Sequence, residues 1–113
     1  DELWENGGTC EGFQLWVNLL AKDKMTPPLY QETPAESIPV VPTRDCKGSV
    51  KVIAGSALGT DAVIRSRTPL MHLDVDLGQG EEVQLDMDKE FDRLGYVFRG
   101  ACEVAGRVVK SGQ

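Results

Sequence analysis

Apolar and polar residues alternate with a period of two in several short stretches of this chain. Over residues 13–19, Phe13, Leu15, Val17 and Leu19 fall on one side and Gln14, Trp16 and Asn18 on the other. That spacing predicts a β-strand with one fully apolar face. Residues 70–77 give the cleanest alternation, with Met71, Leu73, Val75 and Leu77 opposite His72, Asp74 and Asp76. It fits an antiparallel sheet with one wet face. Residues 49–54 are rich in strand formers, Gly55 and Gly59 bracket a turn, and 62–66 could pair back across it. Beyond the turn Gly78-Gln79-Gly80, Val83, Leu85 and Met87 alternate with polar and acidic residues, as in one arm of a hairpin. Further strands are predicted over 94–99, ended by Gly100, and over 102–109 around Gly106. Apolar residues nowhere recur at helical spacing for three turns. The expected fold class is all-β, an antiparallel barrel or sandwich.

A proline-rich stretch interrupts this pattern. Residues 26–45 hold Pro27, Pro28, Pro34, Pro39 and Pro42, all but one of the six prolines. Proline lacks the N–H that a central strand donates, so the stretch reads as an extended connector or a sheet edge, and as the candidate domain boundary. Within it, Thr33-Pro34-Ala35-Glu36-Ser37 could form one helical turn, with Thr33 as cap and Pro34 at the first position.

With 113 residues there is room for one ordinary domain. A hydrophobic content of 41% and a charged content of 27% are those of a globular chain. No apolar run approaches the ~20 residues of a membrane helix. The opening Asp1-Glu2 is not a basic and apolar leader, and Asp1 in place of Met points to a longer natural chain. A net charge of −6 with scattered Lys and Arg argues against direct nucleic-acid binding, which needs cations placed along phosphates. A protein partner with a basic surface fits better. Cys10, Cys46 and Cys102 are odd in number and widely spaced, unlike a disulfide framework or a zinc motif. They read as reduced thiols of a cytosolic or nuclear protein. No basic neighbour in sequence activates Cys10 or Cys102, which favours bystander or buried thiols over redox sensors.

Few side chains suggest chemistry by themselves. His72, Asp74 and Asp76 lie at i, i+2 and i+4 and could bind a divalent ion weakly, but a solvated strand face gives the same pattern. Trp16 points away from the Phe13-Leu15-Val17 face and could line a cavity or pack between two barrels. The acidic segment Glu81–Asp92 reads as a solvated hairpin, or else as a docking surface for a basic partner. There is no Gly-rich phosphate loop, serine-nucleophile motif or pair of carboxylates at catalytic spacing, so no catalytic residue is assigned.

The run Gly12-Phe13-Gln14-Leu15-Trp16-Val17-Asn18-Leu19, followed by Lys22-Asp23-Lys24-Met25 and Pro28-Leu29-Tyr30-Gln31, resembles the central signature of the pirin family. Ala54-Gly55-Ser56-Ala57-Leu58-Gly59 is similar to the stretch that opens the second cupin domain of pirins. Arg67-Thr68-Pro69 with the following strand, and Tyr96 to Gly100, match later pieces. Phe91 departs from the family, which usually has Trp there, as does the acidity of 81–92. Pirins are bicupins with iron in the first barrel only, so the resemblance implies a slice of such a protein. Residues 1–31 would end the N-terminal cupin domain, 32–47 would be the linker, and 48–113 would begin the C-terminal cupin domain.

The resemblance also implies a metal site. The pirin iron has three His ligands and one Glu, and the Glu of the family's His-x-Glu segment falls on Glu2. None of the three His has a counterpart in this chain, so iron is expected only in a longer parent and none in this chain alone. For that parent the resemblance implies quercetin 2,3-dioxygenase-like activity on a flavonol. It equally implies a cytoplasmic or nuclear co-regulator that binds a transcription factor or another protein. The alternative expectation is a metal-free β-sheet interaction module without catalysis.

Overall fold

The computed structural model describes residues 7–113. Its regular structure is seven short strands in antiparallel pairs and two single turns of 3-10 helix, so the chain is all-β. The main sheet has three strands in the order β1 (Val40–Pro42), β2 (Ser49–Ala54) and β5 (His72–Asp76). Two hairpins complete the set, β3 (Ser56–Ala57) with β4 (Thr60–Asp61), and β6 (Ala101–Val104) with β7 (Arg107–Lys110).

β2 is central because it can hydrogen-bond on both sides and carries the apolar face. Val50, Val52 and Ala54 recur every second residue and are buried, while Lys51 between them is exposed. Val50 stands opposite Val75 and Val52 opposite Leu73, so the alternation of β5 meets that of β2 in register. On the other face Lys51 pairs with Asp74 at 3.3 Å. A bulge between Val52 and Ala54 shifts the register and brings His72 opposite Ala54. β1 lies inside the proline-rich stretch, where Pro42 is tolerated because β1 is an edge strand.

Both hairpins close through two residues at positive φ, Leu58-Gly59 at 51° and 73° and Ala105-Gly106 at 48° and 80°. Positive φ at both central residues is the type I′ geometry that matches strand twist. Glycine second in each pair makes that turn accessible.

Several sequence-based expectations are corrected. Residues 13–19 form no strand, and they pair with no neighbour among the described residues. Residues 81–92 form no hairpin, although Val83 and Leu85 stay half-buried between exposed neighbours. Residues 94–99 are not a ladder strand. Val97 instead exchanges two backbone hydrogen bonds with the chain end, donating to Gln113 at 2.8 Å and accepting from Gly112 at 2.7 Å. The helical turn is Ala35–Ser37, with Pro34 as its cap residue and no side-chain capping bond from Thr33. Residues 62–66 pair back only at their start, where the Ala62 N–H donates to the Gly55 carbonyl at 2.8 Å and Ile64 forms one parallel bridge with Ala54.

The buried core is small. Among the described residues only Val50, Val52, Ala54 and Ala57 are buried apolar residues, joined by Thr43. The accessible surface is 10,093 Å², whereas a compact chain of this mass exposes about 6,000 Å². The radius of gyration is 16.2 Å, against about 13 Å for a compact chain of similar length. No helix among the described residues is long and apolar enough to cross a membrane.

Candidate functional site

The one metal ligand implied by resemblance, Glu2, lies outside the described residues. Within them, no group of three or more His, Cys, Asp and Glu side chains converges on a point that could hold a metal ion. His72 and Asp74 are both half-buried on β5, and Asp74 is engaged by Lys51. Cys10 and Cys46 are exposed and Cys102 is half-buried, each as a free thiol. The described donor set therefore does not fit an iron centre, and no catalytic step is assigned to it.

The signature segment lies across the remainder of the chain and is tied to it at intervals. Glu11 accepts from Arg99 at 3.0 Å, an exposed pair of small energetic weight. Phe13 packs edge-on to Tyr96, centroids 5.7 Å apart, and against Phe98 at 5.1 Å. The Asn18 carbonyl accepts from the Thr68 hydroxyl at 2.9 Å. The Gln31 amide donates to the Arg65 carbonyl at 2.7 Å and accepts from its N–H at 3.1 Å. Trp16, for which a cavity or an inter-barrel contact was open, is 85% exposed here.

One ordered polar cluster was invisible in the sequence. Glu81, which opens the acidic segment, turns back onto the β1–β2 connection. Its Oε1 accepts from the Thr43 hydroxyl at 2.6 Å and the Lys47 N–H at 3.0 Å, and Oε2 from the Gly78 N–H at 3.4 Å. Thr43 Oγ1 also accepts from the Gly48 N–H at 3.0 Å. Gly48 is required there, because a Cβ would fall 2.7 Å from Glu81 Oε2 and collide with the Asp76 carbonyl. In the sequence Glu81 groups with its acidic neighbours. The only hint was its place just after the glycine turn 78–80.

Partial burial works to raise the Glu81 pKa. The Thr43 hydroxyl, the N–H groups of Lys47 and Gly78, and the Lys47 charge act against this and together hold the carboxyl below its ordinary 4.5. A depressed folded pKa means that the ionised carboxylate stabilises the fold above the unfolded-state value. The contribution is lost as pH falls through the folded value. Glu81→Gln should therefore lower stability near neutral pH and flatten the loss seen on acidification below 4.5. Denaturant melts of both chains between about pH 3 and 7 measure this, and parallel curves would remove Glu81 from the acid response.

A cleft of about 590 Å³ opens between the loop 64–71 and the segment 86–91. Ile64, Leu70 and Met71 line it from the first, and Asp86, Met87 and Phe91 from the second. Phe91, the departure from the family pattern, is half-buried in this wall.

Neither a family model nor a solved structure matches the chain. Curated relatives do. A Pseudomonas aeruginosa protein, whose name assigns it provisionally to the quercetin 2,3-dioxygenases, is 38% identical over 107 residues, which are 95% of this chain and 37% of that protein. The pirin-like protein of Solanum lycopersicum is 37% identical over 88% of this chain and 33% of its own length. Mouse pirin is 42% identical over 80% of this chain and 31% of its own length. The matched regions run well beyond the signature at residues 12–31 and take in the strands of the main sheet. The chain spans about a third of the length of these relatives, and it belongs to the pirin family, with an all-β fold of cupin type.

Proposed function

We propose that this chain is the middle section of an iron-binding bicupin, whose complete form has quercetin 2,3-dioxygenase-like activity. The supporting observation is the 38% identity to the Pseudomonas protein over 95% of this chain. In this reading residues 1–31 end the first cupin domain, 32–47 link, and 48–113 begin the second. Glu2 supplies one carboxylate ligand, and the imidazoles come from sequence N-terminal to it. When bound, the iron would supply the site for activating O₂ toward a flavonol. The residues described in the structure form part of the scaffold around that chemistry and do not take part in it.

A second reading is favoured by the surface. The chain carries a net charge of −6, and most of the acidic side chains of 82–92 face solvent. Such a surface attracts a basic protein partner and repels nucleic acid. A nuclear or cytoplasmic co-regulator that binds a transcription factor would use it without catalysis.

Metal loading tests the first reading. The chain as it stands should retain no stoichiometric iron after anaerobic loading with ferrous ion and desalting. It should not degrade quercetin. A chimera that places a pirin's N-terminal cupin sequence before Asp1 should gain iron, and Glu2→Ala in that chimera should lose most of it, because removing one ligand opens the coordination sphere. A chimera that binds no iron, or whose iron is indifferent to Glu2→Ala, would leave the interaction reading in place.

A further inference from the structure

The loop between Ile64 and β5 is held from one side and lines a cleft on the other. On the first side the Gln31 amide makes two hydrogen bonds with the backbone of Arg65, and Thr68 donates to the Asn18 carbonyl. On the second side Ile64, Arg65, Ser66 and Pro69 form one wall of the 590 Å³ cleft. We propose that residues 18–31 act as a strap, and that their docking on the 65–68 loop sets the width of this cleft.

Leu70 and Met71 lie against Gly55 at the end of β2, but residues 65–68 have little else among the described residues to fix them. After the single bridge at Ile64, no strand among the described residues pairs with the loop until His72. Its internal tie is the Ser66 hydroxyl to the Thr68 carbonyl at 2.6 Å. Pro69 has no N–H to offer. The position of residues 65–68 therefore depends on what binds them from outside.

The Gln31 contact is suited to that task. One amide group satisfies both the N–H and the C=O of the same residue, as a neighbouring strand would. Two bonds fix direction as well as distance. The strap between the ties is itself restrained. Asn18 accepts from Lys24 Nζ at 2.7 Å through its side chain while its carbonyl holds Thr68. The 3-10 turn Ala21–Asp23 lies between them, and Pro27 and Pro28 limit the backbone after it. Displacement at one tie is thus passed to the other. The opposite wall, Asp86 to Phe91, makes no hydrogen bond to the strap. Any response there has to come through the loop and the cleft.

Amide hydrogen exchange and amide chemical shifts of the whole chain test the strap. Gln31→Ala should speed exchange of the Arg65 amide by about fivefold to tenfold, the effect of losing one typical hydrogen bond. It should also shift the resonances of Met87 and Phe91 across the cleft. Thr68→Val should move the same far-wall resonances. Gln31→Glu keeps the acceptor for the Arg65 N–H and loses the donor to its carbonyl, so it should fall between Gln31→Ala and the unaltered chain. Tyr30→Ala, at a neighbouring side chain that is 91% exposed, should leave both walls unchanged. Shifts confined to Gln31 and Arg65 would overturn the proposal. So would an Arg65 amide that exchanges without protection in the unaltered chain.

Discussion

Gly55→Ala is expected to destabilise this chain by between about 2 and 6 kcal/mol, from backbone strain and overpacking together. Gly55 joins the central strand β2 to the β3–β4 hairpin and sits at φ 80°. A Cβ there would collide with the Leu70 carbonyl and approach the Met71 Cα to 3.2 Å. Both contacts are backbone, which no rotamer change can relieve. Gly59 offers the control. Its φ is 73°, close to that of Gly55, but a Cβ there meets nothing within 4 Å. Gly59→Ala should therefore cost only the conformational part, about 1 kcal/mol. Leu58 and Ala105 already hold positive φ in the hairpin turns, so the fold tolerates that part alone.

The difference matters because Gly55 lets Leu70 and Met71 approach the end of β2 before they enter β5. Pushing them away would loosen the β2–β5 pairing that buries Val50 and Val52, and would widen the cleft that Gly55, Leu70 and Met71 line. Denaturant melts of the two variants measure the contrast. Equal losses at Gly55 and Gly59 would mean that the close approach to Leu70 is absent in solution. With so small a core, Gly55→Ala can abolish cooperative unfolding outright, which also fulfils the expectation provided that Gly59→Ala still melts.

Local alternation was legible wherever the chain supplies its own partner. β2 and β5 stand where the period-two pattern puts them, because Val50 and Val52 find Val75 and Leu73 at a matching register. The edge position of β1 follows from Pro42, whereas the single strand expected over 102–109 is a hairpin, because Ala105 and Gly106 at positive φ turn the chain back on itself. The pattern over 13–19 is just as regular, yet no strand forms. Alternation fixes which way side chains point, whereas a strand also needs a neighbour for its N–H and C=O groups. Residues 83–87 repeat the lesson, with the burial pattern kept and the pairing missing. Glu81 was unreadable for a different reason. Its role depends on Thr43, 38 residues away, reaching the same point. In the sequence it is one acid among several. Of the candidate site itself the sequence showed a single ligand, by resemblance to pirins, and Glu2 lies outside the described residues.

The open face of the signature segment leads to the other large expected effect, self-association. Phe13 is 66% exposed, Leu15 54% and Val17 45%, on the side of the segment that alternation marks as apolar. Full burial of such a side chain gains about 1.5–3 kcal/mol, so half-exposing three of them forgoes on the order of 3 kcal/mol. A small domain holds only about 5–15 kcal/mol in total. The same region exposes Trp16, Leu20, Met25, Leu29 and Tyr30, a far larger apolar area than isolated soluble chains normally present. Its backbone over 13–17 makes no backbone hydrogen bond to the other described residues, which offers a strand edge to another chain. At micromolar concentration the chain should therefore form oligomers or aggregates by light scattering. Amides 13–17 should exchange far faster than those of Val50 and Val52 under conditions that keep it monomeric. Replacing Phe13, Leu15 and Val17 together by Ser should reduce the scattering without altering exchange in β2. A monodisperse monomer with slow exchange across 13–19 would mean that this segment finds a strand partner within its own chain. The unpaired arrangement, and the need for further chain to cover it, would then both fall.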